Sequence, residues 1–298
     1  MTSEARVSRR ALLSALPVAS VLGGCSGALG GTDAVSMLVA GSLNNAVENG
    51  LRPAVDASLQ SQAHGSAEAA RLVAEGQLDP DIVSLADVAL FDTLLSAAWV
   101  AEFATNALVV VYDPETAAGE RLAGGAPWYE VLQDDDVSLG RTDPDMDPLG
   151  YRTLFCLALA TDYYGTDSDL RETIPRSDQV YPETQLVSQF ETGGIDAAIA
   201  YRNMAEERGY DYVALPAEID LGDPAFADRY AAASYELPDG TVVSGDVVSY
   251  GSTVRHESGT VLDVFETHIS GDYLTESGFT VPDDYPRYTG NVPETIAN

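Results

Sequence analysis

The sequence predicts an α/β fold, and two observations carry that prediction. Short apolar runs alternate with segments of helical periodicity in the order β-α-β-α, the pattern of a parallel sheet flanked by helices. The second observation is the stretch Gly140-Arg141-Thr142-Asp143-Pro144-Asp145-Met146-Asp147-Pro148-Leu149-Gly150-Tyr151-Arg152. A strand over Val137–Leu139 runs into it and a helix leaves it. Asp147 reads as an N-cap, its carboxylate accepting orphan N–H groups, and Pro148 as a first helical residue that needs no donor. Tyr151, Leu154, Phe155, Ala158 and Leu159 then share one face, with Gly165 as the stop. A loop between strand end and helix N-terminus is where α/β proteins hold small ligands, and it favours anions.

The remaining elements follow in order. Val35–Val39 is a first strand, closed by Ala40-Gly41-Ser42-Leu43-Asn44, and a helix passes through Leu51, Ala54 and Val55, broken or started near Pro53. Gln62–Ser66 reads as a second loop, with Ser66 capping a helix over Ala67–Ala74. Asp81–Leu85 is a strand, and Asp87 caps the next helix. Leu108–Tyr112 is a buried strand that crosses to a second part of the fold. Further on come a helix near Trp128-Tyr129, a helix starting at Glu183, a strand over Ile195–Tyr201 and a short strand within Tyr210–Leu215. Val242-Val243 and Val247–Tyr250 read as strands, with a return crossing at Tyr250–Thr253. Val261, Leu262, Val264, Phe265 and Ile269 form a late amphipathic helix, and the tail from Gly278 is irregular.

Composition narrows the function classes. The chain has 298 residues with 15 basic against 47 acidic side chains, a net charge of -32, and no lysine at all. That excludes nucleic acid and anionic membrane surfaces as partners. With 45% hydrophobic residues the acidity belongs to the surface of a folded protein. In molar salt the Debye length falls to about 3 Å and such self-repulsion is screened, so the chain reads as adapted to high salt. Without lysine there is no P-loop, no Schiff base and no Ser-x-x-Lys nucleophile.

The N-terminus reads as an address. Ser8-Arg9-Arg10-Ala11-Leu12-Leu13 carries the twin arginine of Tat export, and the apolar run to Val21 is shorter than the roughly 20 residues a membrane span needs. Leu22-Gly23-Gly24-Cys25 resembles a lipobox in which Cys25 is cleaved and lipidated. Residues 1–25 are thus a Tat/lipoprotein signal and 26–33 a flexible tether. Cys156, the other cysteine, is expected as a buried free thiol.

Several chemistries fare poorly. His64, His256 and His268 lack zinc-ligand spacing, and no Gly-x-Ser-x-Gly elbow or Gly-x-Gly-x-x-Gly occurs. Asp143, Asp145 and Asp147 suggest a cation loop, but Pro148 stands where an EF-hand needs glycine and Leu154 where it needs glutamate. Anion binding fits better: Ser42 after the first strand and Ser66 at a helix start are hydroxyl donors beside free N–H groups. Taken singly, each reads better as a plain cap. Tyr201 offers a phenol donor or packs, and Glu183 gains from the dipole of its helix.

The Gly140–Arg152 stretch resembles a signature of archaeal-type tungstate/molybdate-binding proteins, the solute receptors of ABC transporters. In the same order come Ala40-Gly41-Ser42-Leu43, Gly65-Ser66 with Ala70-Arg71, and Phe103-Ala104-Thr105-Asn106. Tyr181-Pro182-Glu183-Thr184, Gly194-Ile195-Asp196 with Ala200-Tyr201-Arg202, and Leu215–Asp223 complete the set. The resemblance implies a two-lobe type II periplasmic-binding-protein clam-shell, each lobe a mostly parallel sheet flanked by helices. Residues 34–106 would begin lobe one, 107–248 form lobe two, and 249–298 return to lobe one. It implies binding without catalysis or cofactor, by a monomer held outside the cell membrane through a lipid anchor and delivering oxyanion to an ABC permease. Ser42, Ser66 and Tyr201 would hydrogen-bond the oxyanion, while Asp147 and Glu183 would approach tungsten or molybdenum itself. The family often has cysteine where Leu149 stands and a second serine where Asn44 stands. Sulfate is the alternative ligand, and an exported hydrolase using a divalent metal on Asp143, Asp145 and Asp147 the alternative class.

Overall fold

In the computed structural model, which describes residues 34–174 and 179–296, the chain forms two mixed sheets flanked by helices. The twin-arginine segment, Cys25 and the tether lie outside the described residues. Among the described residues the strands and longer helices run β1 (Ala34–Ala40), β2 (Ser58–His64), α1 (Ser66–Ala74), β3 (Ile82–Leu85), β4 (Trp99–Asn106), β5 (Leu108–Tyr112) and β6 (Leu139–Thr142). They continue as α2 (Pro148–Tyr164), β7 (Val180–Tyr181), α3 (Glu183–Glu191), β8 (Ala197–Tyr201) and β9 (Tyr212–Ala214). Last come β10 (Ser234–Glu236), β11 (Val242–Ser244), β12 (Val248–Val254), α4 (Gly259–Ser270) and β13 (Arg287–Gly290).

The first sheet has six strands in the order β13-β4-β12-β3-β1-β2, and the second has five in the order β7-β6-β8-β5-β9. β10 and β11 form a separate antiparallel hairpin. In the first sheet β1 pairs parallel with β2 and β3, while β12 runs antiparallel to β3 and β4, and β13 to β4. In the second, β6 pairs parallel with β7 and β8, and β5 antiparallel with β8 and β9. Both sheets are therefore mixed where a mostly parallel arrangement was expected. The parallel pairs belong to β-α-β units; β12 in the first sheet and β5 in the second, which carry the chain between sheets, run against them.

The passage from one sheet to the other is short. β4 ends at Asn106 and β5 begins at Leu108, so Ala107 alone joins them. The chain returns at Val248, whose N–H donates to Leu221 O at 2.8 Å, and β12 lies wholly in the first sheet. The return thus precedes Tyr250–Thr253.

Helix α2 forms as its sequence dictates. Asp147 is extended and its Oδ1 accepts the Leu149 N–H at 3.0 Å; Gly165, with φ 63°, ends the helix. Cys156 is a buried free thiol on it, its pKa pushed up by burial. No helix of the described residues is long and apolar enough to cross a membrane.

Candidate functional site

Five segments meet where the two sheets face each other. The helical turn Gly41–Leu43 after β1 carries Ser42, and the start of α1 carries Ser66. From the other side come the N-cap of α2 with Asp147, the first residue of α3, Glu183, and the last residue of β8, Tyr201. All five side chains are at most 3% exposed.

The two carboxylates are unusual in their surroundings. Asp147 Oδ2 and both oxygens of Glu183 are buried with no hydrogen-bond partner. Such groups are costly to bury, and nearly all buried acceptors in proteins are satisfied. Burial drives Asp147 up to about 6, against the Leu149 N–H, the Thr142 hydroxyl and the charge of Arg152. Burial and then the charge of Asp147 raise Glu183 well above the carboxyl range. The Ser42 hydroxyl and the N–H groups of Gly41 and Ser42 pull Glu183 back but do not close to hydrogen-bond geometry.

Two glycines make this approach sterically possible. A Cβ on Gly41 would overlap the Glu183 carboxylate. On Gly65 it would stand 2.5 Å from Met146 O and 3.1 Å from Asp147 Cβ. Real Cβ atoms essentially never come within 3.0 Å of another heavy atom, as both would here, so glycine at these positions lets the carboxylates reach loops of the first sheet. A cavity of about 430 Å³, walled by Gly65, Glu68, Asp143 and Tyr181, opens onto Asp147 and Glu183.

Each of the three hydroxyls accepts a hydrogen bond from a protein donor. Tyr250 Oη donates to Ser42 Oγ at 3.1 Å, the Ala86 N–H to Ser66 Oγ at 2.9 Å, and Arg152 Nη1 to Tyr201 Oη at 2.9 Å. A hydroxyl that accepts from the protein keeps its one proton to donate elsewhere. Ser66 is therefore not the cap of α1 that the sequence suggests: Gly65 occupies that position and no side chain caps the helix. Arg152 also donates to Ala86 O, pairs with Asp87 at 3.5 Å, and shares Asp87 with the Tyr151 hydroxyl. These contacts tie α2 to the loop after β3 and to Tyr201.

The cation loop does not assemble. Asp143 Oδ1 accepts the Asp145 N–H at 3.0 Å, and Asp145 Oδ1 accepts the Tyr235 hydroxyl at 2.6 Å. Among the described residues no group of three or more His, Cys, Asp or Glu side chains is placed to hold a metal ion. Sequence reasoning overlooked Thr142, whose fully buried hydroxyl lies near Asp147 without closing to hydrogen-bond geometry, and Tyr250. Neither carries a local signal, since threonine and tyrosine in strands usually pack.

Three comparisons bear on this arrangement. The family model of bacterial extracellular solute-binding proteins matches residues 50–236. A Haloferax volcanii protein, provisionally named as a molybdenum-binding protein of an ABC transporter, is 50% identical over 297 residues, 97% of each chain. The molybdate/tungstate-binding protein WtpA of Pyrococcus abyssi is 31% identical over 233 residues, 68% of this chain and 67% of that one. Among solved structures, the sulfate-binding protein SubI of Mycobacterium tuberculosis superposes with a TM-score of 0.56 at 14% identity, covering 89% of both chains.

Proposed function

The chain belongs to the bacterial extracellular solute-binding proteins, and from that premise we propose that it captures tungstate or molybdate between its two lobes and delivers it to an ABC permease. The observation that carries this reading is the buried pair Asp147 and Glu183, three of whose four carboxylate oxygens lack a partner, beside hydroxyls that accept from the protein and so have a proton to donate. Donors alone suit any oxyanion. Ionised carboxylates repel a dianion, and in that state the cost is offset only if the central atom accepts further oxygen ligands. Hexavalent tungsten and molybdenum do so; sulfur in sulfate does not. Ser42, Ser66 and Tyr201 hydrogen-bond the oxyanion in this reading, Asp147 and Glu183 ligate its metal, and no cofactor or catalysis is invoked.

The finer assignments belong to the same proposal. Residues 1–25 direct Tat export, Cys25 is lipidated, 26–33 tether the binding domain outside the membrane, and the protein acts as a monomer. Lobe one comprises 34–106 and 249–298, and lobe two 107–248. Titration calorimetry in multimolar salt tests the ligand: tight binding of tungstate and molybdate with none of sulfate is expected. Sulfate binding alone would discard metal coordination, and silence from all three anions would remove the receptor reading.

A further inference from the structure

Beneath Ser42 lies a buried polar network whose other members the oxyanion reading does not use. Asn106, Asn203, Tyr250 and Ser42 are each at most 2% exposed. Asn106 ends β4, where the chain leaves the first sheet; Asn203 follows β8 in the second; Tyr250 lies on β12, where the chain comes back. Asn106 Oδ1 accepts the Ala107 N–H at 2.9 Å and faces the Asn203 N–H at 3.4 Å. Its Nδ2 donates to Asn203 Oδ1 at 2.7 Å and reaches Tyr250 Oη at 3.4 Å. Asn203 Nδ2 in turn donates to Ser42 O at 3.0 Å.

The proton directions follow from donor chemistry. An amide Nδ2 only donates, so Tyr250 Oη accepts from Asn106 and its single proton goes to Ser42 Oγ at 3.1 Å. Ser42 then has one acceptor lobe filled and its own proton left for a ligand. The backbone of the same residue is fixed through Asn203. We infer that Tyr250 is a positioning residue that fixes Ser42 as an outward hydrogen-bond donor, and that it is held to this task by the asparagine pair at the crossing between the sheets. The inference rests on Ser42 being a ligand donor, as proposed above.

A double-mutant cycle with tungstate as the probe, read by calorimetry in multimolar salt, tests it. Ser42→Ala and Tyr250→Phe are each expected to weaken binding about three- to tenfold, the range of one hydrogen bond. The double variant is expected to bind as Ser42→Ala does, because Tyr250 acts only through Ser42. Should Tyr250→Phe alone fail to fold, the double variant, which leaves no unpaired hydroxyl, supplies the same comparison against Ser42→Ala. A further loss in the double variant beyond Ser42→Ala overturns the inference and leaves the receptor reading intact. An unchanged affinity in Ser42→Ala overturns both the donor role of Ser42 and the inference. A wild-type chain that binds no tungstate overturns them together with the proposed function.

Discussion

Asp147 and Glu183 illustrate how a binding residue can work against the fold that carries it. Folding raises the pKa of both. The stability they contribute is thus complete below the ordinary carboxyl range and is lost as pH rises through about 6 for Asp147 and higher for Glu183. At pH 8 both carboxyls are driven towards ionisation in a place that disfavours it, so the folded state is the less stable for holding them there. Asp147→Asn, which retains the cap, and Glu183→Gln are each expected to raise the melting temperature of the ligand-free protein by several degrees at pH 8 and by little at pH 4. Both should lose tungstate affinity by at least about a hundredfold, on the scale of a removed metal ligand or its support. Scanning calorimetry at the two pH values checks the first expectation. A variant less stable than wild type at pH 8 would contradict the reading of these carboxyls as strained.

At the scale of elements, α2 organises the site because it delivers Asp147 at its cap and Arg152 five residues later. Arg152→Gln removes the guanidinium that ties Tyr201, Ala86 and Asp87 together. Breaking one side of a buried pair costs about 3–5 kcal/mol, so chemical denaturation should shift by that amount, and tungstate binding should weaken with it. This helix was legible from the sequence because its cap, its apolar face and its stop at Gly165 are all local signals. β2 was not: Ser58–His64 lies at the sheet edge with only Leu59 deeply buried, so it has no apolar alternation and Gln62–His64 reads as loop. β13 escaped for the same reason, being an edge strand exposed along its length. β6 was placed two residues early, since Val137 is buried by packing and not by pairing. Of the site, Asp147 was marked by its place between strand and helix, but its pairing with Glu183 as a ligand came only through a family signature, because carboxylates abound in this chain. That they face Gly41 and Gly65 depends on how the two sheets meet, which no local pattern encodes.

For the whole molecule, charge sets the working conditions. A net charge of -32 with arginine as its sole strong cation leaves self-repulsion that only screening relieves. The melting temperature should rise steadily as KCl is raised from about 0.1 to 3 M, and a chain equally stable at both ends would refute the adaptation to salt. Cys156 adds something of a different kind. It is the one thiol of the described residues, fully enclosed on α2, and its burial keeps it protonated. A thiol in that position is silent towards disulfide reagents until the surrounding packing opens, so its rate of modification is a clock for rare excursions from the native state. No label need be engineered once Cys25 is removed. A bound anion that holds the two sheets together would slow that clock in proportion to its occupancy, which turns a residue with no part in capture into the reporter of it.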